Sequence, residues 1–392
     1  MRHIVRFTLC SLLLLYTSCG HAATRNASFF SYKPIFPKKD VAAVPSRKIL
    51  TFGQLVSQSG PMKSYSRSIS AGILASFEHF NEKRSKNELK LRLKTIDTHN
   101  NPATACHLAK QLRKKGTDMF IGNMGTRQAL LLLPQIEQKK IASFFPWAGH
   151  RNLRKSYLTH LINGSGMITP HIDKLAEYIS EQLQHTNVVL VHSDSEFGNE
   201  NANYTAAKFE KAGIDTINKV SYSNKDLLLD DVVEKIIEKK PQAVVFLGTS
   251  KPAAKITKKM MNRGICSPHF LGIDSTLFVS PILKDKSIDF YYTSSIPSPT
   301  DVRYPIVAAY QRDLEKYAPK EEPNILSLSS YIHASIVTQA IKSLEQREQP
   351  IIKENILTEI ATMHNRDIGG FLIDFDRRTR HAYPLHISIM KG

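Results

Sequence analysis

The chain has 392 residues, 42% hydrophobic and 22% charged, a globular composition too long for one ordinary core. Lysine and arginine outnumber aspartate and glutamate 53 to 35, a formal net charge of +18. The basic residues fall in short clusters (Lys38-Lys39, Arg113-Lys114-Lys115, Lys258-Lys259, Arg377-Arg378) without interleaved aromatics, which argues against a nucleic-acid module. Four cysteines, two of them within the first nineteen residues, exclude a disulfide-built scaffold.

Residues 1–23 read as a signal peptide: Arg2 and Arg6 make a positive start, residues 7–16 are apolar, and small residues follow. Two processing routes stay open. Cleavage after Ala22 would release a soluble protein, whereas cleavage before Cys19 would leave a lipid anchor, since Leu-Leu-Tyr16-Thr-Ser-Cys19 resembles a bacterial lipobox. Residues 24–46, with Pro34, Pro37, Pro45, Lys38 and Lys39 and no steady periodicity, read as a linker.

From residue 47 onward, short β-branched or apolar runs alternate with longer helical patterns. The spacing predicts a strand over 49–56 and a helix over 66–80 with Ile69, Ile73, Phe77 and Phe80 on one stripe. A strand over 89–97 follows, then a helix opened by Asn101-Pro102, where Asn caps and Pro fits the first turn. The order repeats: strand 118–122, helix 128–139, strand 141–145, helix 170–183, strand 187–192, helix 201–211, strand 215–222, helix 230–239, strand 243–247, helix 252–263 and strand 269–273. Such alternation implies an α/β fold with parallel sheets and helices on both faces. In an exported protein Cys106 and Cys266 could pair, but one sits in a helix pattern and the other in a distant turn, so two separate buried thiols are expected.

Ligands in such folds collect at the carboxyl ends of the strands. No phosphate loop, Gly-x-Gly-x-x-Gly, Gly-x-Ser-x-Gly, His-Glu-x-x-His or Cys-x-x-Cys occurs there or elsewhere. The fifteen histidines show no metal-ligand spacing. The reading therefore assigns no catalytic residue, no metal and no cofactor.

Gly53-Gln-Leu-Val-Ser-Gln-Ser59-Gly60-Pro61 resembles the first strand and loop of the type I periplasmic binding proteins that capture branched-chain and other amino acids. Gly72 and Asn81, Asp97 with Asn101-Pro102, Ile121-Gly122, Pro146, Phe197-Gly198, Gly248, Gly272 and the run 370–376 continue the resemblance across roughly residues 49–390. It implies two Rossmann-like lobes joined by a three-stranded hinge: lobe one over 47–167 and 297–370, lobe two over 168–296 and 371–392. The crossings would lie near Gly164-Ser165-Gly166, 295–299 and Gly369-Gly370.

The resemblance also implies a ligand site. Thr126 matches a family serine that holds a ligand carboxylate; a helix N-cap is its structural alternative. Asp274 matches an acidic residue that pairs with a ligand ammonium; an exposed turn aspartate is its alternative. Tyr65 and Phe197 match aromatics that cover the ligand from opposite lobes, while Ala148, Gly149 and Ser250 complete the set. Gly149 stands where the family usually has Thr or Ser, Ser250 replaces a frequent aromatic, and Asn100 and Gly125 occupy the places of a cysteine pair found in some members. Arg127, His150, Arg151 and Lys251 flank the same place, either to greet an anion or as a solvated rim.

The implied function is capture of a small polar ligand, an amino acid or similar compound, in the periplasm of a Gram-negative bacterium and delivery to an ABC-type permease, with no enzymatic step. A sensor or regulator of the same fold that feeds no transporter is the alternative.

Overall fold

The computed structural model describes residues 48–391 apart from 165–167, 224–228, 267, 286 and 384–386. The expected signal peptide, the linker, Cys19 and two residues of the first crossing lie outside the described residues. Residues 46–392 form one compact unit, built as two lobes.

The first lobe opens with β1 (Ile49–Val56), α1 (Lys63–Glu82), β2 (Lys90–Asp97), α2 (Pro102–Lys114), β3 (Met119–Ile121), α3 (Thr126–Glu137), β4 (Ala142–Phe144) and β5 (Leu161–Ile162). Its strands lie in the order β2-β1-β3-β4-β5, and every pairing is parallel. β1 is buried along almost its whole length, as an interior parallel strand must be. The second lobe follows with α4 (Thr169–Glu177), β6 (Asn187–Ser193), α5 (Glu196–Lys211), β7 (Thr216–Tyr222), α6 (Asp230–Glu238), β8 (Ala243–Phe246), α7 (Ser250–Asn262), β9 (His269–Gly272), α8 (Val279–Leu283) and β10 (Phe290–Ser294).

The chain then returns to lobe one with α9 (Pro305–Tyr317), α10 (Ile325–Gln346) and α11 (Lys353–Ala361), and ends in β11 (Arg366–Asp367), β12 (Leu372–Phe375), β13 (Ala382–Tyr383) and β14 (Ser388–Lys391). β14 joins the second sheet antiparallel to β10, giving the order β14-β10-β9-β8-β6-β7. β11, β12 and β13 make a small antiparallel sheet of their own.

Each sheet has a core on both faces. In lobe one, Phe52, Phe77, Phe144, Tyr310, Tyr331 and Ile341 fill the side covered by α1, α9, α10 and α11. Leu55, Ala105, Leu112, Phe120 and Ile136 fill the side covered by α2 and α3. In lobe two, Val191, Phe246, Met260 and Phe290 lie under α6, α7 and α8, and Ile172, Val188, Leu190 and Phe209 under α4 and α5.

Two resemblance positions acquire physical reasons. A Cβ on Gly72 of α1 would sit 2.0 Å from the Ser327 carbonyl oxygen of α10, so only glycine lets these two helices meet. Asn81 closes α1 by donating to Leu91 O and accepting from Leu91 N, both at 2.8 Å, and so completes the pairing of β2.

Some expectations change. Residues 371–383 were expected in lobe two, yet Phe371, Ile373 and Phe375 are part of the first core; only Ser388–Lys391 join the second sheet. Gly369-Gly370 is therefore a turn between β11 and β12 rather than a crossing. Both glycines have positive φ, and Asp367 Oδ1 accepts their amides at 2.8 and 2.6 Å. Helix α5 starts at Glu196 rather than 201, because the Ser195 hydroxyl caps it by accepting from Gly198 N at 3.1 Å. The two cysteines are unpaired, but Cys266 is exposed and Cys106 half-buried, so neither is the buried thiol expected.

Candidate functional site

Both sheets reverse their winding at one place, between β1 and β3 in lobe one and between β6 and β8 in lobe two. The loops leaving these strands at their carboxyl ends form the crevice where doubly wound sheets hold ligands.

In lobe one the parallel pairing of β3 and β4 continues past their ends. Trp147 N donates to Asn123 O at 2.8 Å, and Gly125 N to Trp147 O at 3.1 Å. One residue beyond this ladder on each side stand Thr126 and Ala148, so the structure brings Thr126 and the Ala148-Gly149 pair together. Gly125 is the N-cap of α3, and no side chain caps the helix. Thr126 is thus the exposed first helical residue, not the cap, and the helix start is open to an acceptor. A Cβ on Gly149 would meet nothing within 4 Å, so a side chain would fit where none is present. Asn123 Nδ2 and Trp147 Nε1, in the same two turns, are buried donors without partners.

In lobe two, Asp274 opens a single 3-10 turn, Asp274–Thr276, directly after β9. Its side chain is 34% exposed, and Oδ2 lies 3.8 Å from Nε2 of the buried His171. Arg154, at the end of the 3-10 turn Arg151–Arg154 of lobe one, is the cation attracted to Asp274; burial lowers the pKa of this arginine and the Asp274 carboxylate opposes that. Burial also keeps His171 below the ordinary histidine range, again with Asp274 opposing.

Ser250 does not offer its hydroxyl to the crevice. It donates to Ser275 O at 2.9 Å and accepts from Phe278 N at 3.2 Å, fastening the loop that carries Asp274. Tyr65 meets Phe278 edge-on across the lobes, with centroids 4.7 Å apart. The side chain of Phe197 lies outside what is described; its neighbour Gly198 is fixed by Ser193, whose carbonyl would be 2.2 Å from an added Cβ.

Of the four flanking cations, His150 caps its own turn by accepting from Asn152 N at 3.1 Å, and Arg151 reaches Glu196 of lobe two at 3.7 Å. Arg127 and Lys251 are exposed at the starts of α3 and α7. The sequence reading missed Phe278, His171 and Arg154; of these, only Phe278, four residues beyond Asp274, had a local signal. Asp97, read as part of a family turn, fastens the loop after β1 by accepting from Gln58 N and His99 N.

A hollow between α4 and α5, lined by Asp173, Glu177, Lys208 and Lys211, lies away from the strand ends and holds an ordinary Lys208–Asp173 ion pair. Among the described residues, no group of three or more His, Cys, Asp or Glu could hold a metal ion, and no helix is long and apolar enough to cross a membrane.

Residues 50–385 match the family described as periplasmic binding protein. The chain belongs to that family. No curated protein sequence matches this periplasmic binding protein, whereas solved structures share its fold along nearly their whole lengths. A possible leucine/isoleucine/valine-binding protein from Rhodopirellula baltica SH 1 superposes with a TM-score of 0.70 at 20% identity, covering 89% of this chain and 95% of that one. A branched-chain amino acid ABC transporter protein from Thermus thermophilus with bound valine gives 0.70 at 18% identity, with 88% and 94% covered. The branched-chain amino acid transporter substrate binding protein LivJ from Streptococcus pneumoniae, in complex with isoleucine, gives 0.68 at 16%, with 88% and 100% covered. At these identities the likeness establishes the type I periplasmic binding protein fold.

Proposed function

We propose that this periplasmic binding protein is exported, captures an amino acid or amino-acid-like compound between its lobes, and presents it to the permease of an ABC-type transporter without chemical change. Lobe one would comprise 47–167 and 297–383, lobe two 168–296 and 387–391. Closure of the lobes is the working motion, favoured by contacts made only in the closed form. The chain would work in the periplasm of a Gram-negative bacterium, soluble or held by a lipid on Cys19.

What supports this reading is the pair of complementary chemistries at the strand ends of the two lobes. Lobe one presents the uncapped start of α3 at Thr126, suited to a carboxylate. Lobe two presents the half-exposed Asp274 carboxylate, suited to an ammonium. A zwitterion fits that polarity, and the bound valine and isoleucine of two related structures belong to the same chemical class. Tyr65 and Phe278 would then cover the ligand where they meet.

One observation favours the second reading, a sensor or regulator of the same fold. The buried Arg154 of the opposite lobe feels the charge of Asp274, so an incoming ammonium would meet a second cation in the field of the same carboxylate. A thermal-shift series with L-amino acids and their deaminated counterparts separates the two. A ligand at a hundred times its dissociation constant adds about 2.7 kcal/mol, which for this size raises the melting temperature by roughly 4 °C. Such a shift with amino acids and not with deaminated acids supports the transport reading; no shift across the series favours the regulatory one.

A further inference from the structure

His171 lies in the first turn of α4, and its side chain is 1% exposed. Nδ1 is 2.9 Å from the hydroxyl of the fully buried Thr293, at the carboxyl end of β10. Nε2 has no hydrogen-bond partner, and the nearest acid is Asp274, 3.8 Å away. A buried polar atom without a partner is costly, and one aimed at a proposed ligand group needs an explanation.

The ring can carry its proton on either nitrogen. With the proton on Nδ1, the lone pair of Nε2 would face a carboxylate 3.8 Å away, which is repulsive. With the proton on Nε2, the Thr293 hydroxyl donates to Nδ1 and the Nε2–H points toward Asp274 Oδ2. The second arrangement is the attractive one. Burial keeps the ring neutral at neutral pH, so His171 brings Asp274 a donor and not a rival charge.

We propose that His171, set by Thr293, is a positioning residue for Asp274: its Nε2–H dipole faces one carboxylate oxygen and favours the orientation that turns the other toward the cationic group of a ligand. This rests on the reading of Asp274 as the ligand's acceptor. At 3.8 Å the contact is longer than a hydrogen bond and acts as a charge–dipole attraction. Because Thr293 stands just before the second crossing, the array also ties the ligand acceptor to the hinge end of β10.

Two measurements test the proposal separately from the reading beneath it. The first labels the histidine rings with 15N and follows His171 by long-range proton–nitrogen correlation in the ligand-free protein. The proposal requires a neutral ring with its proton on Nε2 at pH 7, an Nε2 signal that moves in Asp274→Asn, and proton transfer toward Nδ1 in Thr293→Val. A proton on Nδ1 in the wild type, or an Nε2 signal indifferent to Asp274→Asn, overturns it.

The second uses calorimetric titration with L-isoleucine and with 3-methylpentanoate, which lacks the ammonium. His171→Ala should weaken isoleucine binding at least tenfold, His171→Gln, which keeps an N–H near the same place, should recover most of that, and 3-methylpentanoate should bind all variants alike. If Asp274→Asn weakens isoleucine binding but neither His171 variant does, the positioning role is wrong and the acceptor reading survives. If wild type and Asp274→Asn treat the two probes alike, the acceptor reading falls and takes the ligand role of His171 with it.

Discussion

Replacing Ser250 by alanine separates two roles for that residue. In the structure its hydroxyl is spent inside lobe two, donating to Ser275 O and accepting from Phe278 N, and the residue is buried. Removing it leaves a backbone carbonyl and a backbone amide short of partners, at a cost of about 1–3 kcal/mol. For a folded body of about 345 residues, roughly 2.1 cal/mol/K per residue gives about 0.7 kcal/mol/K, so the melting temperature should fall about 1.5–4 °C. Scanning calorimetry on the ligand-free protein reads this directly. Ligand affinity should fall as well, since the loosened loop carries Asp274 and Phe278. An unchanged melt with weakened binding would refute the reasoning, because the hydroxyl would then be serving the ligand and not the loop.

Two further predictions concern stability. Gly72→Ala should destabilise by about 1–3 kcal/mol or more in denaturant titration, since the new methyl meets the backbone of α10 and not a movable side chain; Gly149→Ala, entering open space, should stay within about 0.5 kcal/mol of wild type. Burial, reinforced by nearby Arg154, pushes His381 down to about 4. The folded state thus refuses a proton that the unfolded chain accepts near 6.5, so this contribution is complete above about pH 6.5 and is lost as pH falls toward 4. Over that window the wild type should lose up to about 3 kcal/mol more than His381→Gln, measured as the difference between their stability curves; parallel curves would count against the assignment.

The legible parts of the fold were those with local causes. β1 was read at its observed bounds because its apolar run ends at the polar Ser57-Gln58, and the start of α2 because Asn101 caps it by accepting from Ala103 N and Thr104 N. α10 carried no assignment. It packs against α1, α9 and α11, so its buried positions (Leu326, Leu328, Tyr331, Ile332, Val337, Ile341) run around much of the helix and blur the amphipathic period. Gly369-Gly370 misled because paired glycines suit a hinge and a tight turn equally, and only the contact of Phe371, Ile373 and Phe375 with the first core decides.

Thr126 and Asp274 follow β3 and β9, as the strand pattern implied. The Ser250 hydroxyl is taken up by Ser275 O and Phe278 N, a long-range pairing that no local pattern signals. His171 and Arg154 were invisible, since nothing local in the sequence says that a helix start comes within 3.8 Å of this carboxylate and that an arginine of the other lobe lies in its field.

The central claim is that Asp274 receives the cationic end of a ligand held between the lobes. Calorimetric titration of wild type and Asp274→Ala with the amino acid giving the largest thermal shift tests it most directly. Loss of about 2–5 kcal/mol of binding free energy in the variant, as for a buried charge pair deprived of one partner, is the predicted result. Equal affinity in the two proteins would place Asp274 outside the site and contradict the account.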